Sequence, residues 1–161
     1  NLNEYARKNI EAQDFIFLIS LMIIDETDNS EYFLYKFNIS NEDKKRIRFL
    51  QNVFSKPLDR KTFSEKNLWK MLYYNNKNYL NDLINFQIYR SKKIDKKLIK
   101  LKEFFSNQLP PKFNVKAKFL MEKFNLKEGK ELGQKIKEIE IAWINNSFKI
   151  TDQQIEKIIN G

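Results

Sequence analysis

The chain has 161 residues, a net charge of +9, no cysteine, no histidine and three glycines. These absences exclude disulfides, thiolate and imidazole zinc sites, a Ser-His-Asp triad and a glycine-rich phosphate loop. Any catalysis would have to rest on carboxylates, so the composition disfavours an autonomous enzyme. The length is enough for one domain, or two small ones, that bury roughly 70% of the surface of the unfolded chain.

Apolar residues recur at helical spacing along nearly the whole chain, and no segment alternates like a strand. Six helices are predicted in the first 109 residues: one capped by Asp14 that ends near Ile24, a short one opened by Ser30, one capped by Ser40 that ends before Pro57, one capped by Ser64, one over about 79–89 and one over about 93–105. Asp43 makes the start at Ser40 an acidic variant of the capping box.

Pro110-Pro111 is the strongest break in this pattern. We therefore expect an all-α protein with a helical body domain over 1–109 and a small helical tail domain over 110–161. The tail should hold an extended entry over 112–115, a short helix ending at Phe124, a turn at Gly129, a long amphipathic helix and a last helix capped by Thr151. Gly133 should allow a close approach at the start of the long helix.

The segment Phe15–Ile24 carries no charge and is about half as long as a bilayer span. We therefore predict a buried core helix here and no membrane segment. No cationic leader precedes it, and no small-residue cleavage site follows it. Together with the absence of cysteine, this predicts a cytoplasmic protein with no membrane partner.

The basic residues are concentrated in one part of the chain. Residues 90–130 hold thirteen Lys or Arg and four Asp or Glu, an excess equal to the net charge of the whole chain. A local field of one sign is typical of a protein that binds a polyanion such as nucleic acid. Two alternatives remain open: a solvated lysine face, and the codon bias of an AT-rich genome, which would also account for nineteen Asn and nineteen Ile.

The predicted helix over 93–105 places lysines beside an apolar stripe. Its apolar residues recur at i, i+4, i+7 and i+11, and its lysines at i, i+3, i+4 and i+7 on a neighbouring face: Ile94, Leu98, Leu101 and Phe105, and Lys93, Lys96, Lys97 and Lys100. The lysine stems can cover the stripe while the ammonium groups face solvent or a ligand. A second, weaker basic patch is Lys44, Lys45, Arg46 and Arg48. The aromatic residues that could stack on bases are Tyr73, Tyr74 and Phe104.

Carboxylates are the remaining catalytic candidates. Two pairs have the acid-x-acid spacing that can hold a divalent cation: Glu26 with Asp28, and Glu138 with Glu140. The spacing needs a strand to bring both carboxylates to one side, but the first pair lies in a polar connection and the second on a helix. We therefore interpret them as solvated acids. The alternative is a small metal-dependent enzyme that uses Glu26 and Asp28.

Glu42-Asp43-Lys44-Lys45-Arg46 matches the pattern E-D-x-x-R, in which an acid and an arginine can pair with the edge of a base. The same order of acids and bases favours the first two turns of any helix, through the helix dipole and i,i+4 pairs. Both interpretations are open from these residues alone.

Several motifs of the tail resemble one enzyme family. They are Pro111-x-Phe113-x-Val115, Leu120-Met121, Gly129-x-x-Leu132-Gly133-x-x-Ile136-x-x-Ile139 and Trp143-Ile144-x-x-x-Phe148. In the body, the apolar run Phe15–Ile24 and the helix start Phe37-Asn38-Ile39-Ser40-Asn41-Glu42 are similar too. Over roughly residues 14–150, the chain resembles the C-terminal part of alphaproteobacterial class II CCA-adding tRNA nucleotidyltransferases, a family that includes bacterial poly(A) polymerases. Two positions depart from the family: Ala117-Lys118-Phe119 replaces Gly-x-Asp, and Asn125 replaces a turn glycine.

The resemblance implies a body and tail without the head and neck, which in this family carry the Mg²⁺ site and select CTP or ATP. This chain should then hold no cofactor, be inactive alone, and act together with the missing head and neck. Glu42–Arg46 would not be the neck's nucleotide selector, because only 41 residues precede it, too few for a head.

The implied partner is tRNA, gripped along the acceptor stem and T-arm by shape and phosphate contacts. The lysines expected to bind RNA are Lys93, Lys96, Lys97, Lys100, Lys112, Lys116, Lys118 and Lys130. We expect them to come together as a single surface. The alternative is an all-α protein-interaction module with a solvated lysine face and no RNA role.

Overall fold

The computed structural model describes residues 2–25, 27–59 and 61–161. These residues form ten α-helices and one short 3-10 helix, with no strand among them, so the predicted all-α class is confirmed. The chain divides into two compact units. The first ends at Pro110 and the second begins at Pro111, which is where the two prolines interrupt the helical pattern.

The first unit holds seven of the described α-helices. In chain order they are α1 (Glu4–Asn9), α2 (Phe15–Ile23), α3 (Asn29–Lys36), α4 (Asn41–Phe54), α5 (Glu65–Tyr74), α6 (Lys77–Arg90) and α7 (Lys96–Ser106), with the 3-10 helix Ile10–Ala12 after α1. Two of the predicted caps are confirmed, because Asp14 accepts a hydrogen bond from the backbone N–H of Phe17 and Ser40 accepts one from that of Asp43. The sequence pattern did not predict α1.

Helix α6 is the centre of this unit and packs against α1, α2, α4, α5 and α7. Its apolar side chains are almost completely buried over their whole circumference: Leu80, Leu83, Ile84, Phe86, Ile88 and Tyr89. Phe17 of α2 meets the rings of Phe86 and Tyr89 edge to face. Each fully buried side chain of this kind stabilises the fold by about 1.5–3 kcal/mol, so this helix organises the core.

The prediction that Phe15–Ile24 is a buried core helix is wrong for half of its surface. Only Phe17 and Ser20 of α2 are buried, while Phe15 is 67% exposed and Met22 is 76% exposed. Nine residues make only two and a half turns, and one side of α2 packs on α4 and α6. The other side carries the exposed Phe15 and Met22 and the half-buried Ile19, whereas the half-buried Leu18 packs against the core and α3 also contacts α2.

Helix α7 begins three residues later than predicted. Asp95 is its N-cap, and the carboxylate accepts hydrogen bonds from the backbone N–H groups of Lys97 and Leu98. Lys93 and Ile94 therefore precede the helix, and Ile94 is exposed. The start of α7 is determined by the N-cap hydrogen bonds of Asp95 and not by the apolar spacing, which predicts an earlier start.

The second unit holds α8 (Ala117–Phe124), α9 (Lys130–Asn145) and α10 (Asp152–Asn160). Its small core is formed by Leu120, Leu132, Ile139 and Ile155. The predicted cap at Thr151 is confirmed as a complete capping box, in which the side-chain oxygen of Gln154 accepts a hydrogen bond from the backbone N–H of Thr151. None of the helices described in either unit is long and apolar enough to cross a membrane.

Two of the turn residues in this unit have left-handed or otherwise unusual backbones. Gly129 has φ +152°, which L side chains rarely adopt, so the predicted turn is confirmed. Asn125 ends α8 with φ +55° and ψ +32°, the left-handed conformation that asparagine tolerates better than other side chains. The prediction for Gly133 is wrong, because a Cβ there would meet no described atom within 4 Å.

Candidate nucleic-acid interface

Three of the predicted lysines lie on one exposed face of α7. Lys96, Lys97 and Lys100 are exposed, and the buried residues of the helix, Leu98 and Phe105, lie on its opposite side. None of the three ammonium groups has a hydrogen-bond or ion-pair partner in the described parts of the chain. Their positive charges therefore point into solvent without an internal counterion.

The predicted regular array of four lysines is incomplete, because Lys93 lies before the helix. Lys93 is exposed in the connection that follows α6, next to the exposed Lys92. Lys102 is different from the exposed lysines of α7: it is half-buried and its ammonium group donates to the hydroxyl of Tyr5 at 3.3 Å. On α7, therefore, Lys102 makes a contact within the unit, whereas Lys96, Lys97 and Lys100 face solvent.

The other four predicted lysines belong to the second unit and are all exposed. Lys112 lies in the extended entry, Lys116 is the N-cap of α8, Lys118 is in its first turn, and Lys130 is the first residue of α9. Lys118 forms an i,i+4 ion pair with Glu122 at 3.8 Å, which at this exposure contributes little. The other three have no partner among the residues that the structure describes.

The aromatic residues of the tail motifs pack on one another in the second unit. Trp143 meets Phe113 and Phe148 at ring-centroid distances of 5.3 and 4.9 Å. They line a cleft of about 640 Å³ whose rim includes Lys112 and Lys149. Phe148 adopts φ +62°, a conformation that is strained for an aromatic residue. These motif residues therefore shape the fold of the tail, with cations at the edge of the cleft.

The E-D-x-x-R residues of α4 are engaged in contacts inside the first unit. Glu42 accepts a hydrogen bond from the hydroxyl of Tyr79 at 3.1 Å, and Asp43 accepts one from Ser40 at 2.7 Å. Arg46 donates to both carboxylate oxygens of Asp82 and, at 2.9 and 2.6 Å, to both of Asp14. Arg46 is therefore not available to a ligand, and its predicted place in the second basic patch is wrong.

Burial decides the electrostatics of this ion-pair cluster. Burial raises the pKa of Asp82, although hydrogen bonds from Arg46 act against the shift. Partial burial also opposes ionisation of Asp14, but hydrogen bonds from Arg46 and from the backbone of Phe17 outweigh it and lower the pKa of Asp14. The hydrogen bonds to Asp82 raise the pKa of Arg46. An aspartate in the apolar sequence of α6 was the signal that could have identified this cluster, because a buried acid needs a partner.

Two members of the second basic patch, Lys45 and Arg48, line another cleft, of about 590 Å³, whereas Lys44 is half-buried and does not line it. Lys45 and Arg48 are exposed on α4, and the exposed Tyr74 at the end of α5 lines the same cleft. The sequence predicted these cations and this tyrosine separately, and the fold brings them together. Tyr73 is half-buried, and Phe104 lies on the same side of α7 as Lys97 and Lys100, with its ring against Trp69.

The carboxylate pairs show no metal-binding arrangement in the described residues. Glu26 lies outside those residues, and Asp28 is exposed just before α3. Glu138 accepts from Gln134 and is 3.7 Å from Lys135 on the same helix. No group of three or more Asp or Glu side chains among residues 2–25, 27–59 and 61–161 is placed to hold a metal ion.

The sequence matches no family model, no curated protein and no solved structure. The function must therefore be inferred from the sequence motifs and from the geometry of each unit.

Proposed function

We propose that the chain binds structured RNA, and that it does so as the body and tail of a cytoplasmic nucleotidyltransferase of the CCA-adding or poly(A)-adding family. In this proposal the two units grip the acceptor stem and T-arm of tRNA, and a head and neck supply the chemistry of nucleotide addition. The grip recognises the shape and phosphates of an A-form stem and carries no sequence preference. The chain by itself adds no nucleotides.

The lysine face of α7, defined as Lys96, Lys97 and Lys100, is the observation that carries this proposal. The face spans about 6 Å along the helix axis and has no internal counterion in the described residues. Two of its lysines lie in the first turn, where the helix dipole opposes a cation by about 0.3–1 kcal/mol each. Helix stability therefore does not explain their position, whereas binding to phosphates does.

Asn125 supports the resemblance to the family. The family has a glycine at this turn, and the structure gives Asn125 the left-handed conformation that usually requires one. Asparagine is the substitution that costs least at such a position. Asn125 therefore preserves the turn conformation that is expected from the glycine of the family motif.

Binding of a tRNA transcript over a series of salt concentrations tests the proposal. The logarithm of the association constant should fall linearly with the logarithm of the salt concentration, with a slope of roughly −0.7 to −0.9 for each phosphate neutralised. Fluorescence anisotropy of end-labelled tRNA measures it. A blunt RNA duplex of unrelated sequence should bind almost as well, because shape is recognised. A response that does not change with salt would reject the phosphate grip.

The apolar face of α2 favours a second candidate, a protein-interaction module. Phe15 and Met22 are exposed on one side of this helix, with the half-buried Ile19 beside them, and exposed apolar residues of this kind are often covered by protein partners. If this is the function, the wild-type chain should capture a partner protein, and Met22→Lys should abolish this capture. The binding of the partner protein to the wild type should change little with salt concentration. Affinity chromatography after nuclease treatment measures this. Lys66→Glu, at an exposed lysine of α5, is the control, and it should leave capture unchanged. A partner retained by Met22→Lys would contradict this candidate.

A further inference from the structure

The cleft beside α4 combines cations with an exposed aromatic ring. Lys45, Arg48 and Asn52 lie at i, i+3 and i+7, on one face of α4. Tyr74 is the last residue of α5, on the other wall of the same cleft. The cleft has a volume of about 590 Å³, which is room for one nucleotide and its phosphate.

The two cations are free to meet an anion. Lys45 and Arg48 are exposed, and neither has an ion-pair partner within the described part of the chain. The neighbouring Arg46 faces away, into its pairs with Asp82 and Asp14. Glu42 is the acid that lines the cleft, and its carboxylate already accepts the Tyr79 hydroxyl. The cleft is therefore electropositive along α4.

Tyr74 offers an accessible ring. It is 65% exposed, although the ring of Tyr73 meets it at a centroid distance of 5.3 Å in an edge-to-face contact. The neighbour limits the motion of the ring and leaves most of it uncovered. An exposed, positioned aromatic ring beside phosphate-binding cations is the usual arrangement for stacking an unpaired base.

The two asparagines between α5 and α6 are already used by the backbone. Asn75 donates to the carbonyl of Met71, and Asn76 accepts from the backbone N–H of Tyr79 as the N-cap of α6. One of the two polar groups of each side chain is therefore already engaged, which leaves fewer groups to read the edge of a base. Stacking itself tolerates every base, so the site should have little sequence preference.

We infer that this cleft binds an unpaired nucleotide of the RNA, with the base on Tyr74 and the phosphate at Lys45 and Arg48. The inference rests on the proposed RNA-binding function and names a single-stranded element of the ligand. The lysine face of α7 serves the double-stranded part, so the two surfaces can be tested separately.

The test uses the whole chain and two probes, the single-stranded RNA tetrauridylate and a blunt RNA duplex. NMR titration with tetrauridylate should move the ring resonances of Tyr74 upfield, because a stacked base shields them. Tyr74→Ala should weaken tetrauridylate binding by about 5- to 150-fold, whereas Tyr74→Phe should keep it within about twofold. Lys45→Gln with Arg48→Gln should reduce the salt slope for this probe by about 0.7, because the two cations share one phosphate.

Tyr35→Ala is the matched control, because Tyr35 is 90% exposed on α3 of the same unit and lies outside the cleft. It should bind tetrauridylate like the wild type. Equal losses for Tyr35→Ala and Tyr74→Ala, or no loss for Tyr74→Ala, would overturn the inference. So would a chain that binds the duplex with a steep salt dependence but not tetrauridylate, an outcome that leaves the proposed function intact. Loss of tetrauridylate binding in Tyr74→Ala without any duplex binding would reject the proposed function and retain the cleft.

Discussion

Arg46→Met should destabilise the first unit by about 3 kcal/mol. The substitution leaves the carboxylate of Asp82, whose side chain is 8% exposed, in the core without its partner. Most of the loss comes from Asp82, because Asp14 is half exposed and its pair with Arg46 is partly screened by solvent. Urea unfolding followed by far-UV circular dichroism measures the change in the free energy of unfolding.

The loss should depend on pH in a defined direction. In the variant, Arg46 no longer opposes the burial that raises the pKa of Asp82. Between the unfolded and native pKa values of Asp82, its carboxyl group is therefore protonated in the native variant and ionised in the unfolded chain. A raised native pKa means that stability is present at low pH and is lost as pH rises through that pKa. The favourable ionisation of Asp14 in the wild type, whose pKa is lowered, disappears on acidification too. The difference in the free energy of unfolding between the wild type and Arg46→Met should therefore be largest near neutral pH. It should become smaller as the pH is lowered toward the pKa of Asp82.

Two further variants separate the buried charge from other effects of the substitution. Adding Asp82→Asn to Arg46→Met should recover more than half of the lost stability, because the core then holds a neutral amide. Arg48→Met, on the same helix at an exposed and unpaired arginine, should change stability by less than about 0.5 kcal/mol. A loss of similar size at Arg48, or a deficit that grows on acidification, would contradict the importance of the buried pair.

Reversing the lysine face of α7, with Lys96→Glu, Lys97→Glu and Lys100→Glu together, should weaken duplex RNA binding by roughly 10²- to 10³-fold at 0.1 M salt. Each phosphate contact contributes about eightfold at this salt through counterion release, and the salt slope should fall by about 2.7 if all three lysines contact phosphate. Fluorescence anisotropy with the blunt duplex measures both quantities. The fold should persist, because the three side chains are exposed and two of the new acids lie in the first turn of the helix.

The matched control carries the same change in net charge elsewhere in the unit. Lys56→Glu, Lys61→Glu and Lys66→Glu reverse three lysines that are also exposed but lie outside the lysine face. This control should lose far less affinity, because only long-range attraction is reduced. Equal losses in the two triple variants would show that net charge alone draws the RNA to the chain, and no loss in either would reject the lysine face.

The candidate interface was partly predictable. The exposure of Lys96, Lys97 and Lys100 follows from their position on a face of the helix beside the apolar stripe, and the spacing of the lysines predicts this face. Lys93 was placed wrongly because the cap at Asp95 decides where α7 begins. Arg46 was placed wrongly because its partner Asp82 is 36 residues away in the chain, and charge patterning along one helix carries no information on such a partner.

Residues close together in the sequence determined the all-α class, the break at Pro110-Pro111 and the caps at Asp14, Ser40 and Thr151, because periodicity, proline stereochemistry and N-cap hydrogen bonds act within a few residues. Only the tertiary structure decided which side of α2 is covered, which arginine of α4 forms ion pairs inside the unit and which lines the cleft, and that Tyr74 lines the same cleft as Arg48. These features depend on how the helices pack around α6. Which face of a helix is buried depends on its shape complementarity to neighbouring helices and on the free-energy cost of burying charge. Neither quantity can be read from one segment alone.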